Sequence, residues 1–208
     1  MPPIKGLYAV TPDVADTAVL VSKVQTVLAA GARVLQYRNK QADQQLRREQ
    51  AAALRIACRQ WDALLIINDD VALAGAIDAD GVHVGRDDAA LAEARAHLGH
   101  GKVIGVSCYD DLKRARTAAG QGADYVAFGS FFASSVKPGA VRAPLSVLRD
   151  ARSLGVPVVA IGGITLDNAG ELIAAGADAL AVITALFGAA DAAAATRRFC
   201  QLFQAQIA

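Results

Sequence analysis

Eight short apolar runs recur along the chain, each followed by a polar loop and then a segment of helical periodicity. The runs are Gly6–Val10, Val34–Tyr37, Leu64–Ile67, Gly81–Val84, Val103–Val106, Tyr125–Phe128, Val158–Ile161 and Leu180–Ile183. Continuous Leu, Ile and Val without apolar–polar alternation suits parallel strands covered on both faces. Between and after them the spacing predicts helices over Thr17–Ala30, Gln44–Trp61, Asp70–Ala76, Ala89–Leu98, Leu112–Gln121, Leu145–Leu154, Asn168–Ala175 and Ala189–Gln206. The turns Ala30-Gly31-Ala32, Gly122-Ala123-Asp124 and Ala175-Gly176-Ala177-Asp178 put a Gly just past a helix, where the left-handed conformation ends it. Eight βα units in 208 residues predict an α/β fold, a single (β/α)8 TIM barrel spanning 1–208 as one domain. An open doubly wound sheet is the competing architecture. Against it, Thr11-Pro12-Asp13 follows the first strand where such a sheet places a Gly-x-Gly-x-x-Gly turn.

The polar residues that interrupt this pattern collect just past the carboxyl ends of the strands, the edge where barrels bind ligands. The third run ends in Asn68, Asp69 and Asp70, and the fourth in Gly85, Arg86, Asp87 and Asp88. These acids have two readings. They cap the helices that follow, or two of them, from neighbouring loops, hold Mg²⁺, which takes one or two carboxylates plus substrate phosphates. The second run ends with Gln36, Arg38 and Lys40 at alternate positions, hence on one side of the strand. Two cations and an amide converging there suit a diphosphate. Ser107 ends the fifth run, and a long interval from Ser130 to Ala140 carries Lys137 and a Gly139 hinge, as a lid over the site would. Gly162-Gly163 and Ile183-Thr184 end the last two runs, the usual phosphate position of the fold.

Composition narrows the partners. Lys+Arg 21 against Asp+Glu 20 gives a net charge of +1, which recommends neither nucleic acid nor an acidic membrane. No apolar run is long enough to span a bilayer, and the start Met-Pro-Pro-Ile-Lys-Gly has no signal-peptide layout. Cys58, Cys108 and Cys200 lie far apart without metal-ligand spacing, as reduced thiols of a cytoplasmic protein would. His83 inside the fourth run is read as a packed core residue, and His97 and His100 as helix-end cations. No Ser-His-Asp or Cys-His arrangement offers a nucleophile.

Gln36-Tyr37-Arg38-Asn39-Lys40, Ile66-Ile67-Asn68-Asp69, Gly81-Val82-His83-Val84-Gly85-Arg86-Asp87-Asp88, Ile104-Gly105-Val106-Ser107, Lys137-Pro138-Gly139 and Ala160-Ile161-Gly162-Gly163-Ile164 together resemble the thiamine-phosphate synthase family. The resemblance implies a barrel enzyme that joins 4-amino-2-methyl-5-hydroxymethylpyrimidine diphosphate to 4-methyl-5-(2-hydroxyethyl)thiazole phosphate, releasing pyrophosphate through a pyrimidine cation. Carried over by position, Gln36, Tyr37, Arg38, Asn39, Lys40, Asn68, Ser107 and Lys137 bind the pyrimidine diphosphate. Of these, Arg38, Lys40, Ser107 and Lys137 act on the leaving group. Asp69 and Asp88 hold Mg²⁺, and Ser134, Ser135, Val136, Gly163, Ile183 and Thr184 bind the thiazole phosphate. The resemblance leaves a homodimer open. This chain reads Ser134-Ser135-Val136 where the family usually has Thr-Pro-Thr, and Ile183-Thr184 where it usually has Val-Ser. The related thiazole tautomerase carries a His shortly after the fifth-strand Ser; here Cys108, Tyr109 and Asp110 follow instead. A phosphate-binding isomerase of the same fold and a non-catalytic sensor of thiamine precursors also compete for these residues.

Overall fold

The apolar runs form eight parallel strands: β1 (Gly6–Val10), β2 (Val34–Tyr37), β3 (Leu64–Asn68), β4 (Gly81–Val84), β5 (Val103–Tyr109), β6 (Tyr125–Phe128), β7 (Val158–Ile161) and β8 (Ala179–Val182). Each pairs with its neighbour in sequence, and β8 pairs back onto β1, closing a barrel. The computed structural model describes residues 4–85, 88–133 and 142–204, except the side chains of Asp88 and Ala89. Around the barrel run α1 (Thr17–Ala29), α2 (Gln44–Gln60), α3 (Val71–Ala76), α4 (Asp88–Leu98), α5 (Leu112–Gly120), α6 (Ser146–Ala151), α7 (Ala169–Ala175), α8 (Thr184–Phe187) and α9 (Ala192–Gln204). A short 3-10 turn, Arg152–Leu154, continues α6.

Two cores explain why the strands do not alternate between apolar and polar. Outward side chains such as Leu35, Leu65, Val82, Ile104 and Leu180 pack under the helices, while Val34, Leu64, Ile66, Val103 and Val159 fill the barrel. Both faces are dry, so both must be apolar. The interior changes character along its axis. Its lower part is aliphatic, whereas Tyr8, Tyr125, Gln36 and His83 bring polar groups into the upper part.

The helix-to-strand turns do a second job besides reversing the chain. Asp80, Asp124 and Asp178, each just before an even-numbered strand, accept the backbone N–H of Leu65, Ile104 and Val158 on the strand before it, at 2.8, 2.7 and 2.8 Å. Asp80 also accepts from Arg55 Nη1 at 2.7 Å. These carboxylates tie strands together at the amino end of the barrel, which in this fold serves stability. Asp80→Ala, which strips partners from both a buried strand N–H and Arg55, is expected to lower unfolding free energy by about 2–3 kcal/mol. Its kcat should stay at the wild-type value below the melting range. A large loss of kcat with unchanged urea midpoint would contradict that division of labour.

The structure moves several expected boundaries. β5 extends to Tyr109 beyond the expected Val106, through an irregular register against β6 between Ser107 and Tyr109. β8 stops at Val182, because Ile183 leaves the strand conformation at φ −114°, ψ −81° and starts the short α8. That four-residue helix is too short to leave a periodic signal. The helix expected over Ala189–Gln206 begins only at Ala192.

Candidate functional site

The strand ends that gather the polar residues surround one cavity of about 500 Å³ at the carboxyl end of the barrel. Gln36, Arg38, Lys40, Asn68, Asp69, Ser107 and Ile183 all line it. A smaller cavity of about 280 Å³ sits beside it, lined by Gly163, Ile183 and Thr184, and the two share Ile161, Gly162, Ala181 and Ile183. Two adjoining compartments with a common wall suit a reaction that joins two ligands.

The strand period decides which of the residues from 36 to 40 reach the cavity. Gln36 points inward and Tyr37 outward. The side chains of Tyr37 and Asn39, expected among the ligand contacts, turn toward the helix layer instead. Tyr37 Oη donates to Gln50 Oε1 at 2.9 Å, and burial pushes its phenol up to about 12. Asn39 donates to Val14 O at 2.9 Å and to Gln50 Oε1 at 3.0 Å, and it accepts the N–H groups of Gln41 and Ala42. Both side chains thus build the loop that holds Arg38 and Lys40.

That loop is clamped from the segment that follows β1. Thr11 Oγ1 donates to Arg38 O and accepts Arg38 N–H, both at 2.8 Å. Asp13 Oδ1 accepts from Arg38 Nη1 at 3.3 Å and from the Lys40 backbone N–H at 3.0 Å. Thr11 and Asp13 were visible in the sequence only as a missing glycine turn; their work is to orient two cations. A guanidinium held in this way presents a fixed fork to an anion.

The acidic corner separates its two carboxylates by role. Asp70 caps α3, accepting Leu73 N–H at 2.8 Å. Asp69 does not cap. Its backbone sits at φ +63°, a left-handed conformation unusual for a residue with a side chain. Its N–H donates to His83 O at 2.8 Å, and its Oδ2 accepts from Asn68 Nδ2 at 2.7 Å. The strained backbone and the amide brace turn the Asp69 carboxylate into the cavity. Asp88 opens α4, but its side chain lies outside the described residues, as do Ser134, Ser135, Val136 and Lys137 and most of the expected lid. Among the described residues no group of three His, Cys, Asp or Glu side chains is placed to hold a metal ion. The donors at this corner are all hard oxygens, the Asp69 carboxylate and the Asn68 amide, which is the chemistry Mg²⁺ takes when substrate phosphates complete its shell.

His83, read from sequence as core packing, is packed and also lines the cavity. Its Nδ1 meets Tyr125 Oη at 2.9 Å and its Nε2 meets Ser107 Oγ at 2.8 Å. Tyr125 Oη in turn meets Tyr8 Oη at 2.8 Å, which accepts from Gln36 Nε2 at 3.0 Å. The cross-strand register, Asn68 beside His83 and His83 beside Gly105, places this parity inward. Burial lowers the His83 pKa from its ordinary 6.5 to about 4, with the nearby Asp69 charge opposing the shift. Between those values the unfolded chain takes up a proton that the folded chain refuses. Stability is therefore whole above about pH 6.5 and falls by about 3 kcal/mol in total as pH drops through the window to about 4. Urea unfolding at about pH 7 and about pH 4.5 should show this slope in wild type and a shallower one in His83→Gln. Equal slopes would contradict a neutral, buried His83.

A family model described as thiamine monophosphate synthase matches residues 7–186 of the chain. The thiamine-phosphate synthase of Methylobacillus flagellatus is 59% identical over 203 residues, covering 98% of this chain and 97% of its own. That of Azoarcus sp. is 61% identical over 189 residues, covering 90% of this chain and 92% of its own. Among solved structures, thiamine phosphate pyrophosphorylase from Pyrococcus furiosus superposes with a TM-score of 0.84 at 35% identity, covering 98% of this chain and 97% of that one.

Proposed function

The chain belongs to the thiamine monophosphate synthase family, and from that premise we propose how its cavity performs the synthesis. The activity is that of a thiamine-phosphate synthase, which condenses the aminopyrimidine diphosphate with the thiazole phosphate to give thiamine phosphate and pyrophosphate. In this reading the larger cavity takes the pyrimidine diphosphate and the smaller one the thiazole phosphate, and the shared wall at Ile161 and Ile183 brings the reacting atoms together. The observation that carries the assignment is the separation of charge. Arg38, Lys40 and Asp69 all line the larger cavity, while the smaller one offers Gly163 and Thr184, suited to a single phosphate.

The bond from the pyrimidine methylene carbon to the diphosphate oxygen breaks, its electron pair leaving with the diphosphate. The thiazole nitrogen then donates its lone pair to that carbon. No protein nucleophile is required. Arg38 and Lys40, with Lys137 from the segment after β6, neutralise the departing oxygens, and Ser107 donates a hydrogen bond to them. Gln36 and Asn68 hold the pyrimidine, and Ile183 and Val136 hold the thiazole in line, so that positioning supplies much of the acceleration. Asp69 and Asp88 would hold Mg²⁺, which when bound neutralises charge on the leaving diphosphate. Ser134 and Ser135 would join Gly163, Ile183 and Thr184 around the thiazole phosphate.

The reading includes a cytoplasmic enzyme; no described helix is long and apolar enough to cross a membrane. A homodimer would use the exposed apolar side chains of Ile56 and Trp61, on and just after α2. The direct test of function is pyrophosphate release by purified protein with each substrate alone and with both, with and without Mg²⁺. Release that needs both substrates and the ion supports the reading. Release from the pyrimidine diphosphate alone at the full rate would instead describe a hydrolase.

A further inference from the structure

The floor of the larger cavity is one hydrogen-bonded row: Gln36, Tyr8, Tyr125, His83 and Ser107, with successive contacts of 3.0, 2.8, 2.9 and 2.8 Å. The barrel is shaped around it. A Cβ at Gly105 would lie 1.9 Å from Tyr125 Cζ, so only glycine leaves that ring its place. Tyr125 stacks on His83 at a centroid distance of 5.6 Å and meets Tyr8 edge-on at 6.0 Å. Tyr8 and Tyr125 are fully enclosed, and among the described residues their hydroxyls hydrogen-bond to members of the row.

Each tyrosine has one proton to donate, and a neutral imidazole has one N–H. The direction chosen at one end therefore fixes the direction at the other. In one arrangement Gln36 Nε2 donates to Tyr8, Tyr8 to Tyr125, Tyr125 to His83 Nδ1, and His83 Nε2–H to Ser107, whose own proton is left for the cavity. In the other, the Gln36 amide is turned so that its carbonyl accepts from Tyr8, and every bond reverses. His83 then carries its proton on Nδ1, and Ser107 donates to Nε2 and offers the cavity only lone pairs. Both arrangements hold the same number of protons and differ by the amide orientation, the hydroxyl rotors and the imidazole tautomer.

We propose that this row couples the polarity of the ligand edge at Gln36 to the polarity of Ser107, making Tyr8, Tyr125 and His83 positioning residues for the departure of the diphosphate. The inference rests on the function proposed for the cavity. An exocyclic amino group on the pyrimidine donates to the Gln36 carbonyl, selects the first arrangement, and so aims the Ser107 proton at the leaving oxygens. A pyrimidine with an oxo group in that place selects the second arrangement and withdraws the donor. Recognition at one side of the cavity thus arms the hydroxyl at the other.

The test is nitrogen NMR of isotope-labelled histidine in the full-length protein, titrated with the aminopyrimidine diphosphate alone and, separately, with its 4-oxo analogue. Wild type should show His83 protonated on Nε2 with the first ligand and on Nδ1 with the second. Tyr125→Phe, which breaks the row, should bind both ligands and show the same tautomer with each. Tyr8→Phe, further from His83, should do likewise and is the second variant should the first not fold. In turnover, Tyr125→Phe should lower kcat about tenfold with little change in KM, and should add nothing to Ser107→Ala. One tautomer for both ligands in wild type, or independent losses in the double variant, would overturn the coupling. A wild type that fails to bind the diphosphate at all would remove the functional reading and the coupling with it. Binding without a tautomer change removes the coupling alone.

Discussion

Asp69→Asn is expected to lower kcat/KM for pyrophosphate release about a thousandfold, a loss of about 4 kcal/mol of transition-state stabilisation. The carboxylate lines the cavity beside Asn68, and Asp70 next to it is already spent on capping α3. Asn keeps the size and one oxygen but loses the charge that would balance a divalent ion, so the Mg²⁺ concentration needed for half-maximal rate should also rise. Asp69→Gly separates this chemistry from the fold. Asp69 sits at φ +63°, where a side chain costs on the order of 1 kcal/mol and glycine costs nothing in the folded state. The greater freedom of glycine in the unfolded chain offsets part of that gain. Asp69→Gly should therefore be inactive, yet as stable as wild type or more stable by up to about 1 kcal/mol. Stability lost together with activity would mean that the corner is built for folding, and a wild-type rate for Asp69→Asn would mean that the ion is held without Asp69.

Arg38→Met should lower kcat about a thousandfold while leaving the KM for the thiazole phosphate within about threefold. Met keeps the apolar stem and removes the charge and the planar fork. The change costs the fold little, because the Arg38–Asp13 contact of 3.3 Å is partly exposed and such pairs contribute at most about 1 kcal/mol. Arg38→Lys, which keeps the charge but not the fork, should fall between the two, about 10–100-fold below wild type. Asp13→Asn should cost less again, since Thr11 still clamps the Arg38 backbone. Loss confined to the thiazole phosphate KM would place the cation in the other compartment.

Much of this architecture could be read from the chain because it follows from local rules. Unalternating Leu, Ile and Val runs mark strands buried on both faces, and all eight form the barrel in sequence order. Alternation puts Gln36, Arg38 and Lys40 on the cavity side, and the same rule sends the Tyr37 side chain to the other face. Local rules did not divide Asp69 from Asp70, since both fit a cap; the family resemblance alone singled out Asp69, and the backbone conformation there shows why Asp70 is the one that caps. His83 was passed over because a single His in an apolar strand carries no local signal. Its partners Tyr125 and Ser107 are 42 and 24 residues away, and only barrel closure brings them to it. Thr11 and Asp13 act across 27 residues for the same reason.

In the proposed assignment two compartments divide the ligands, with the diphosphate at the charged strand ends of β2 and β3 and the monophosphate at β7 and β8. A crystal structure of the enzyme soaked with thiamine phosphate, pyrophosphate and Mg²⁺ tests it most directly. Pyrophosphate is expected against Arg38, Lys40 and Ser107, with the ion on Asp69, and the phosphate of thiamine phosphate against Gly163 and Thr184. Pyrophosphate at Gly163 and Thr184 instead, or thiamine phosphate bound outside both cavities, would contradict it.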